Sequence, residues 1–71
     1  YKSKLLEWAQ RQKRHVVFNQ VGIKGSGYDR LYQIQVTIDD EEYGKASDHS
    51  IKGAEQLAAE KTWLMMNEQS S

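Results

Sequence analysis

The chain of 71 residues contains no cysteine and no proline. Without cysteine it cannot form a disulfide, and its two histidines lack the further ligands that a structural zinc site needs. Its stability must therefore come from a small apolar core, for which a hydrophobic content of 38% is ordinary globular usage. We expect one folded domain over residues 1–71, with no metal ion and no cofactor.

Long apolar runs are also missing. The longest lie at residues 16–18 and 63–66, far shorter than a membrane-spanning helix requires, and the N-terminus carries no signal-peptide pattern. We expect a cytoplasmic protein without a membrane partner. Because the chain starts at Tyr1 and enters a helical pattern at once, we also expect it to be a domain of a longer protein.

The net charge is zero, but the charges are segregated along the chain. Residues 1–24 hold six basic residues against one acidic residue, a net charge of +5, whereas residues 25–51 hold two against six, a net charge of −4. Exposed charges separated by more than about 8 to 10 Å are largely screened from each other in salt. A basic face can therefore attract a polyanion even though the total cancels.

Hydrophobic spacing predicts the secondary structure. Leu5, Trp8 and Ala9 recur at helical spacing, and the apolar residues of the segment 32–38 alternate strictly with polar ones. The predicted elements are a helix over residues 2–13, strands over 16–23, 32–38 and 43–47, a turn at the acidic run 39–42, a helix from 50 or 51 to about 67, and a polar tail over about 67–71. This order predicts an α+β fold, a three-stranded antiparallel sheet with both helices on its apolar face.

Each predicted helix has a surface feature of its own. On the first, Ser3, Glu7 and Gln10 form a polar stripe away from the apolar face. On the second, Leu57 and Leu64 fall nearly opposite the predicted core positions, which are Ala54, Ala58, Ala59, Thr62, Trp63 and Met66. Exposed leucines at this spacing predict a docking stripe for another domain of the same protein or for a second copy of the chain. The alternative is a rotated helix that buries them.

Catalytic patterns are not found. The acidic residues 39–42 are consecutive, so at a hairpin tip they splay apart instead of converging on a metal ion. His15 and His49 have no nucleophile beside them, since Ser50 is better suited to cap the second helix. The glycine-rich segment 25–27 lacks the lysine and serine that end a phosphate-binding loop. We expect no catalytic residue, no metal ligand and no enzyme activity in this chain.

Three segments resemble the double-stranded RNA-binding domain family, in the order that the family has them. The opening YKSKLLEWAQ, residues 1–10, is similar to the first helix of the C-terminal domain of bacterial ribonuclease III. The segment GSGY, residues 25–28, is followed four residues later by Tyr32, where the family has Gly-Pro-x-His and an aromatic residue. The segment SIKGAEQLAA, residues 50–59, resembles the family's Lys-Lys-x-Ala-Lys-x-x-Ala-Ala helix start.

The resemblance implies three places of contact with RNA. In the family, the first helix offers a glutamate and a glutamine to ribose 2′-hydroxyls, the loop between the first two strands enters a second minor groove, and the start of the last helix meets phosphates. Carried over residue by residue, the implied RNA-binding residues are Ser3, Glu7, Gln10, Gly25, Ser26, Tyr28, Ser50 and Lys52. The alternatives are a polar stripe without a role and an ordinary flexible loop.

The sequence departs from the family most at the second helix. Ile51, Lys52 and Glu55 stand where the family has three lysines, so one lysine remains and one position is reversed in charge. Phosphate affinity depends steeply on the number of cationic contacts, and we expect it to be reduced here. Ser50, the helix N-terminus, Lys45 and His49 are the candidates for partial compensation.

The resemblance implies a domain that binds double-stranded RNA by shape, from a bacterial ribonuclease III whose catalytic domain lies elsewhere. The rival hypothesis is a degenerate domain of the same fold that makes protein-protein contacts, and it draws on Ile51, Glu55 and the two leucines. A third possibility is an unrelated small α+β module.

Overall fold

The computed structural model describes the backbone of residues 1–69 and the side chains of residues 1–66. The elements are helix α1 (Lys2–Gln12), strand β1 (Val16–Lys24), a short 3-10 helix (Gly27–Asp29), strands β2 (Leu31–Ile38) and β3 (Glu41–Asp48), and helix α2 (Ile51–Gln69). The strands form one antiparallel sheet in the order β1-β2-β3. This is the α-β-β-β-α order that the sequence predicts. Neither helix within residues 1–69 is long and apolar enough to cross a membrane.

The core lies between the sheet and the two helices. Alternate residues of β2 point into it, because successive side chains of a strand face opposite sides of a sheet. The fully packed side chains are Leu5 and Ala9 from α1, Ile34, Val36, Ile38 and Ala46 from the sheet, and Ala54, Ala58 and Ala59 from α2. Trp8, Trp63 and Met66 pack at its border and are half-buried. Trp8 is therefore a border residue of the core and not a fully enclosed one.

Small residues let α2 lie close to β3. The buried Thr62 hydroxyl donates to the Ala58 carbonyl (2.9 Å) and accepts from the Gly44 N–H of β3 (3.0 Å). An interior hydroxyl therefore has both partners and carries no desolvation penalty. The contact fixes the rotation of α2, so the alanines face the sheet and Leu57 and Leu64 face outward. The rotated alternative, in which the leucines are buried, is wrong.

Predicted and observed element boundaries differ most at the β2–β3 turn and at the end of α2, and by one residue at the ends of α1 and β1 and the start of β2. The turn at the acidic run occupies only Asp39 and Asp40, which have φ values of 51° and 69°, and β3 begins at Glu41. Positive φ at both central residues is the geometry of the tight two-residue hairpin, which aspartate tolerates better than most residues. The four-residue turn and the shorter third strand are therefore wrong. Helix α2 also continues through residues 67–69, and the rest of the predicted polar tail, residues 70 and 71, lies outside the described residues.

Candidate nucleic-acid interface

The polar stripe of α1 lies on the surface. Ser3, Glu7 and Gln10 are all exposed, while Leu5 and Ala9 on the opposite side of the helix are buried. Within residues 1–66, none of the three polar side chains takes part in a hydrogen bond or an ion pair. Their donors and acceptors are therefore available to a ligand on successive turns of α1.

The loop between β1 and β2 holds one side chain fully in solvent. Gly25 has φ of +78°, and a Cβ there would lie 2.6 Å from the Asp29 carbonyl oxygen, so the tight loop requires glycine. Beyond it, Tyr28 sits on the short 3-10 helix with a relative exposure of 103%. Its ring therefore contributes nothing to the core, and its phenol is presented at the tip of the loop beside Ser26.

The sheet register brings this loop to the start of α2. Tyr32, near the beginning of β2, pairs with Asp48 at the end of β3. His49 follows, and its Nδ1–H donates to the Arg30 carbonyl oxygen (3.1 Å). The loop, the β3–α2 connection and the first turn of α2 therefore lie at the same end of the sheet.

The start of α1 lies beside α2 as well. The backbone nitrogens of Tyr1 and Lys2 both donate to the Gln56 side-chain oxygen, each at 3.3 Å. Gln56 thus satisfies donors at the N-terminus of α1, where a helix has no partners of its own. These contacts place the Ser3 end of the polar stripe next to the second turn of α2.

Ser50 and Lys52 differ in their availability. The Ser50 Oγ accepts from the Gly53 N–H (3.0 Å), the usual arrangement of a helix N-cap, which leaves its hydroxyl hydrogen and one lone pair to offer to a ligand. Lys52 is exposed and makes no ion pair within the described residues. Of the two predicted contacts at this helix start, Lys52 is the one with a fully available charge.

A carboxylate covers the first turn of α2. A Cβ at Gly53 would overlap Asp48 Oδ2, so the Asp48 carboxylate rests against the glycine. Negative charge at a helix N-terminus is favourable, because the unpaired N–H groups and the helix dipole make that end positive. Asp48 therefore places a negative charge at the positive end of α2. Sequence analysis did not identify this residue, although its distance of three residues from the helix start was a usable signal.

Glu55 is paired within the chain. Its Oε1 accepts a hydrogen bond from Lys2 Nζ of α1 at 2.9 Å, in a partly buried ion pair, and the Lys2 ammonium also lies 5.3 Å from the centre of the Phe18 ring. The charge reversal at Glu55 is therefore matched by Lys2 instead of standing alone beside a phosphate. The two residues are 53 positions apart, so no local sequence pattern could have linked them.

The acidic turn is tied to the end of α1. The Asp39 carboxylate accepts from the Arg14 side chain and from the His15 N–H (3.0 Å). These two bonds hold the pKa of Asp39 below its ordinary value of 3.8, and the bond from the His15 N–H has the larger effect. No group of three His, Asp or Glu side chains that could hold a metal ion occurs in the described part of the chain.

The second surface feature is the outer side of α2. Leu57 and Leu64 are 41% and 51% exposed, two turns apart, and Met65 is exposed beside them. Between the leucines, Lys61 donates to the Lys45 carbonyl of the edge strand β3 (3.1 Å). The predicted exposure of both leucines is confirmed.

Comparisons with known proteins agree with this architecture. The family described as "Double-stranded RNA binding motif" matches residues 1–66. Ribonuclease 3 of Shouchella clausii (strain KSM-K16) is 35% identical over 72 residues, which cover 100% of this chain and 28% of that protein. A solved structure of Arabidopsis HYL1, described with its implications for miRNA processing, superposes with a TM-score of 0.75 at 32% identity, covering 99% of this chain and 96% of that one.

Proposed function

This chain belongs to the double-stranded RNA-binding motif family, and on that premise we propose that it binds duplex RNA through α1, the β1–β2 loop and the start of α2. The observation that supports these contacts is exposure. All eight residues that the resemblance implies are on the surface, and they are Ser3, Glu7, Gln10, Gly25, Ser26, Tyr28, Ser50 and Lys52.

The chemistry of the three regions suits recognition by shape. The Glu7 carboxylate accepts a hydrogen bond from a ribose 2′-hydroxyl, which is the group that separates RNA from DNA. The Tyr28 phenol reaches a second minor groove of the duplex. Lys52 pairs with a phosphate across the major groove that lies between the two minor grooves. None of these contacts reads a base, so binding is expected at any duplex sequence.

The parent protein is part of the proposal. The chain spans only 28% of the length of the ribonuclease 3 that it matches, so cleavage of RNA would belong to a nuclease domain outside these residues. We assign the chain to a bacterial, cytoplasmic protein of the ribonuclease III type, in which this domain holds the duplex. The domain needs no cofactor for that role, because hydrogen bonds and phosphate contacts are sufficient.

The test is a titration of the domain with a perfect RNA duplex of about 16 base pairs, the span of this kind of domain, and with its DNA equivalent. Each titration is run at low and at moderate salt. We expect saturable binding to RNA, weaker binding to DNA, and a loss of RNA affinity as salt rises, because phosphate contacts release counterions. Absence of RNA binding at low salt would contradict the proposal.

A second function is favoured by the outer side of α2. Leu57, Leu64 and Met65 expose apolar surface on the side of α2 that borders strand β3. The ribonuclease 3 that this chain matches is much longer than the matched region, which covers 28% of it. We propose the nuclease domain of the same protein as their partner. The isolated domain should then sediment as a monomer, and the Leu57→Lys/Leu64→Lys variant should release the domain from the nuclease in the full protein while leaving RNA binding unchanged. A dimer that this variant dissociates would instead identify a second copy as the partner.

A further inference from the structure

The two tryptophans of the chain lie on the same groove, although they are far apart in sequence. Trp8 comes from α1 and Trp63 from α2, and each is half-buried at the border of the core. With Lys4, Glu7, Arg11 and Gln12 they line an open groove of about 310 Å³ between the two helices. Neither the polar stripe nor the helix start explains this arrangement.

The lining combines aromatic surface with positive charge. Lys4 and Arg11 supply positive charge to the lining, while Glu7 and Gln12 add acceptors and a donor. The Arg14 guanidinium also lies 5.9 Å from the centre of the Trp8 ring. A nucleotide needs these partners, because its base stacks on an aromatic ring and its phosphate pairs with a cation. The volume is at the small end of the range for ligand sites, which suits one ring system and not a larger ligand.

A base inside a duplex cannot use this groove. Its faces are covered by the neighbouring base pairs, and exposing them requires unstacking. A nucleotide at a duplex end or in a bulge has no such cost. The occupant that fits is therefore an unpaired nucleotide.

The groove is continuous with the proposed RNA-binding surface. Glu7 belongs both to the polar stripe of α1 and to the groove lining, and Lys4 follows Ser3 of the stripe directly. A duplex whose minor groove lies on the stripe brings an unpaired nucleotide next to the indoles. We propose that the groove between α1 and α2 binds one unpaired nucleotide adjoining the duplex, with its base on Trp8 and Trp63 and its phosphate at Lys4 and Arg11. This inference rests on the proposed function.

The experiment compares three RNAs that share one duplex of about 16 base pairs. The first is blunt, the second carries a single unpaired adenosine at one end or as a bulge, and the third carries an abasic nucleotide at the same place. We expect the unpaired adenosine to bind about five- to tenfold more tightly than the blunt duplex, in line with the stacking of one base on an aromatic side chain. Tryptophan fluorescence should change more with the adenosine than with either other RNA.

Two variants in the groove and one control outside it locate the effect. Arg11→Gln alters an exposed side chain and should reduce the preference for the adenosine, whereas Lys61→Gln changes the net charge equally on the outer side of α2 and should leave the preference unchanged. Trp63→Leu should abolish the preference, and a melting curve shows whether this variant folds. If it does not fold, Arg11→Gln still tests whether the groove binds the adenosine.

The outcomes separate the two hypotheses. Equal affinity and equal fluorescence change for the blunt and adenosine RNAs would overturn the groove inference while leaving duplex binding intact. An abasic nucleotide that binds as tightly as adenosine would also overturn it, because stacking would then contribute nothing. If neither the blunt nor the adenosine RNA binds, the proposed function fails, and this inference fails with it.

Discussion

The α1 stripe and the start of α2 differ in how far their polar groups are already engaged. On α1, Ser3, Glu7 and Gln10 have no side-chain partners within residues 1–66. At the start of α2, Ser50 caps the helix and the Asp48 carboxylate lies against Gly53. Only Lys52 among the implied contacts there has a fully available charge.

A protein that binds duplex RNA needs both discrimination against DNA and overall affinity, and the two regions are expected to contribute to these properties differently. Contacts to 2′-hydroxyls distinguish RNA from DNA, and in the proposed interface α1 would make them. Contacts to phosphates supply most of the sequence-independent affinity. In the proposed interface they would depend on positive charge at the start of α2, where the charge of Asp48 opposes that of Lys52. We therefore expect a domain that discriminates RNA from DNA well and binds it weakly.

The largest expected effect is at Glu7. Glu7→Ala removes a charged acceptor of a 2′-hydroxyl bond, and bonds of this kind contribute about 1.5 to 3 kcal/mol, so RNA affinity should fall about ten- to a hundredfold. Affinity for the DNA duplex should stay equal or rise, since a carboxylate near phosphates is lost. Parallel titrations with the two duplexes measure the ratio.

The control for Glu7→Ala is Glu41→Ala, an exposed position at the start of β3 with the same change in net charge. It should leave the ratio of RNA to DNA affinity unchanged. Equal effects of the two variants on RNA binding would show that the stripe of α1 does not face the ribose.

These regions also differ in how well the sequence predicts them. The α1 stripe and the exposed Leu57 follow from helical periodicity, which is a local property of the chain. The ion pair between Lys2 and Glu55 and the groove between Trp8 and Trp63 depend on how α1 lies along α2, which no local pattern encodes. The family resemblance implies the positions of the proposed contacts but not the side chains that surround them. Those surrounding side chains decide which charges are available to a ligand.

The second prediction concerns Asp48. Asp48→Asn removes the negative charge from the first turn of α2 and should tighten RNA binding about three- to tenfold at low salt, less at high salt. The same change should lower the melting temperature slightly, because the carboxylate stabilises the helix N-terminus by about 0.3 to 1 kcal/mol. Affinity and stability are thus expected to move in opposite directions.

Asp40→Asn is the matched control for Asp48→Asn. It makes the same substitution at an exposed position in the β2–β3 turn, at the opposite end of the sheet, where asparagine also tolerates the positive φ. Equal tightening by both variants would indicate a general effect of net charge. A loss of affinity on Asp48→Asn would show that no phosphate approaches this helix start.

The third prediction concerns the phosphate contact proposed for Lys52 at the start of α2. Lys52→Ala should reduce the slope of log affinity against log salt by about 1 in magnitude, the contribution of one phosphate contact, and should weaken all duplex sequences alike. Titrations at four or more salt concentrations measure the slope. An unchanged slope would mean that Lys52 lies away from the backbone.

The fourth and smaller effect is at Glu55. Glu55→Gln keeps a hydrogen-bond acceptor for Lys2 but releases the ammonium from its ion pair, so RNA binding should tighten about twofold to threefold. The loss of stability should stay below about 1 kcal/mol, as for most ion pairs near the surface. Glu60→Gln makes the same change in charge further along α2 and should neither tighten RNA binding nor lower the stability.

The smallest effect on RNA binding is expected at Asp39, whose bonds join the end of α1 to the β2–β3 turn. Because its pKa is held below 3.8 in the folded state by the His15 N–H and by Arg14, the folded state is favoured while the carboxylate is ionised. That contribution is complete above the ordinary pKa and is lost as the pH falls through the lower folded value. Asp39→Asn should therefore melt earlier than the unchanged protein at pH 7, and the two melting curves should converge in acid. Melting temperatures from pH 7 down to about pH 2 test this, and curves that stay parallel through the whole range would show that the two bonds do not stabilise the fold. RNA affinity at pH 7 should be the same for both proteins, because Asp39 lies at the end of the sheet opposite the loop and the start of α2, where the phosphate contacts are expected.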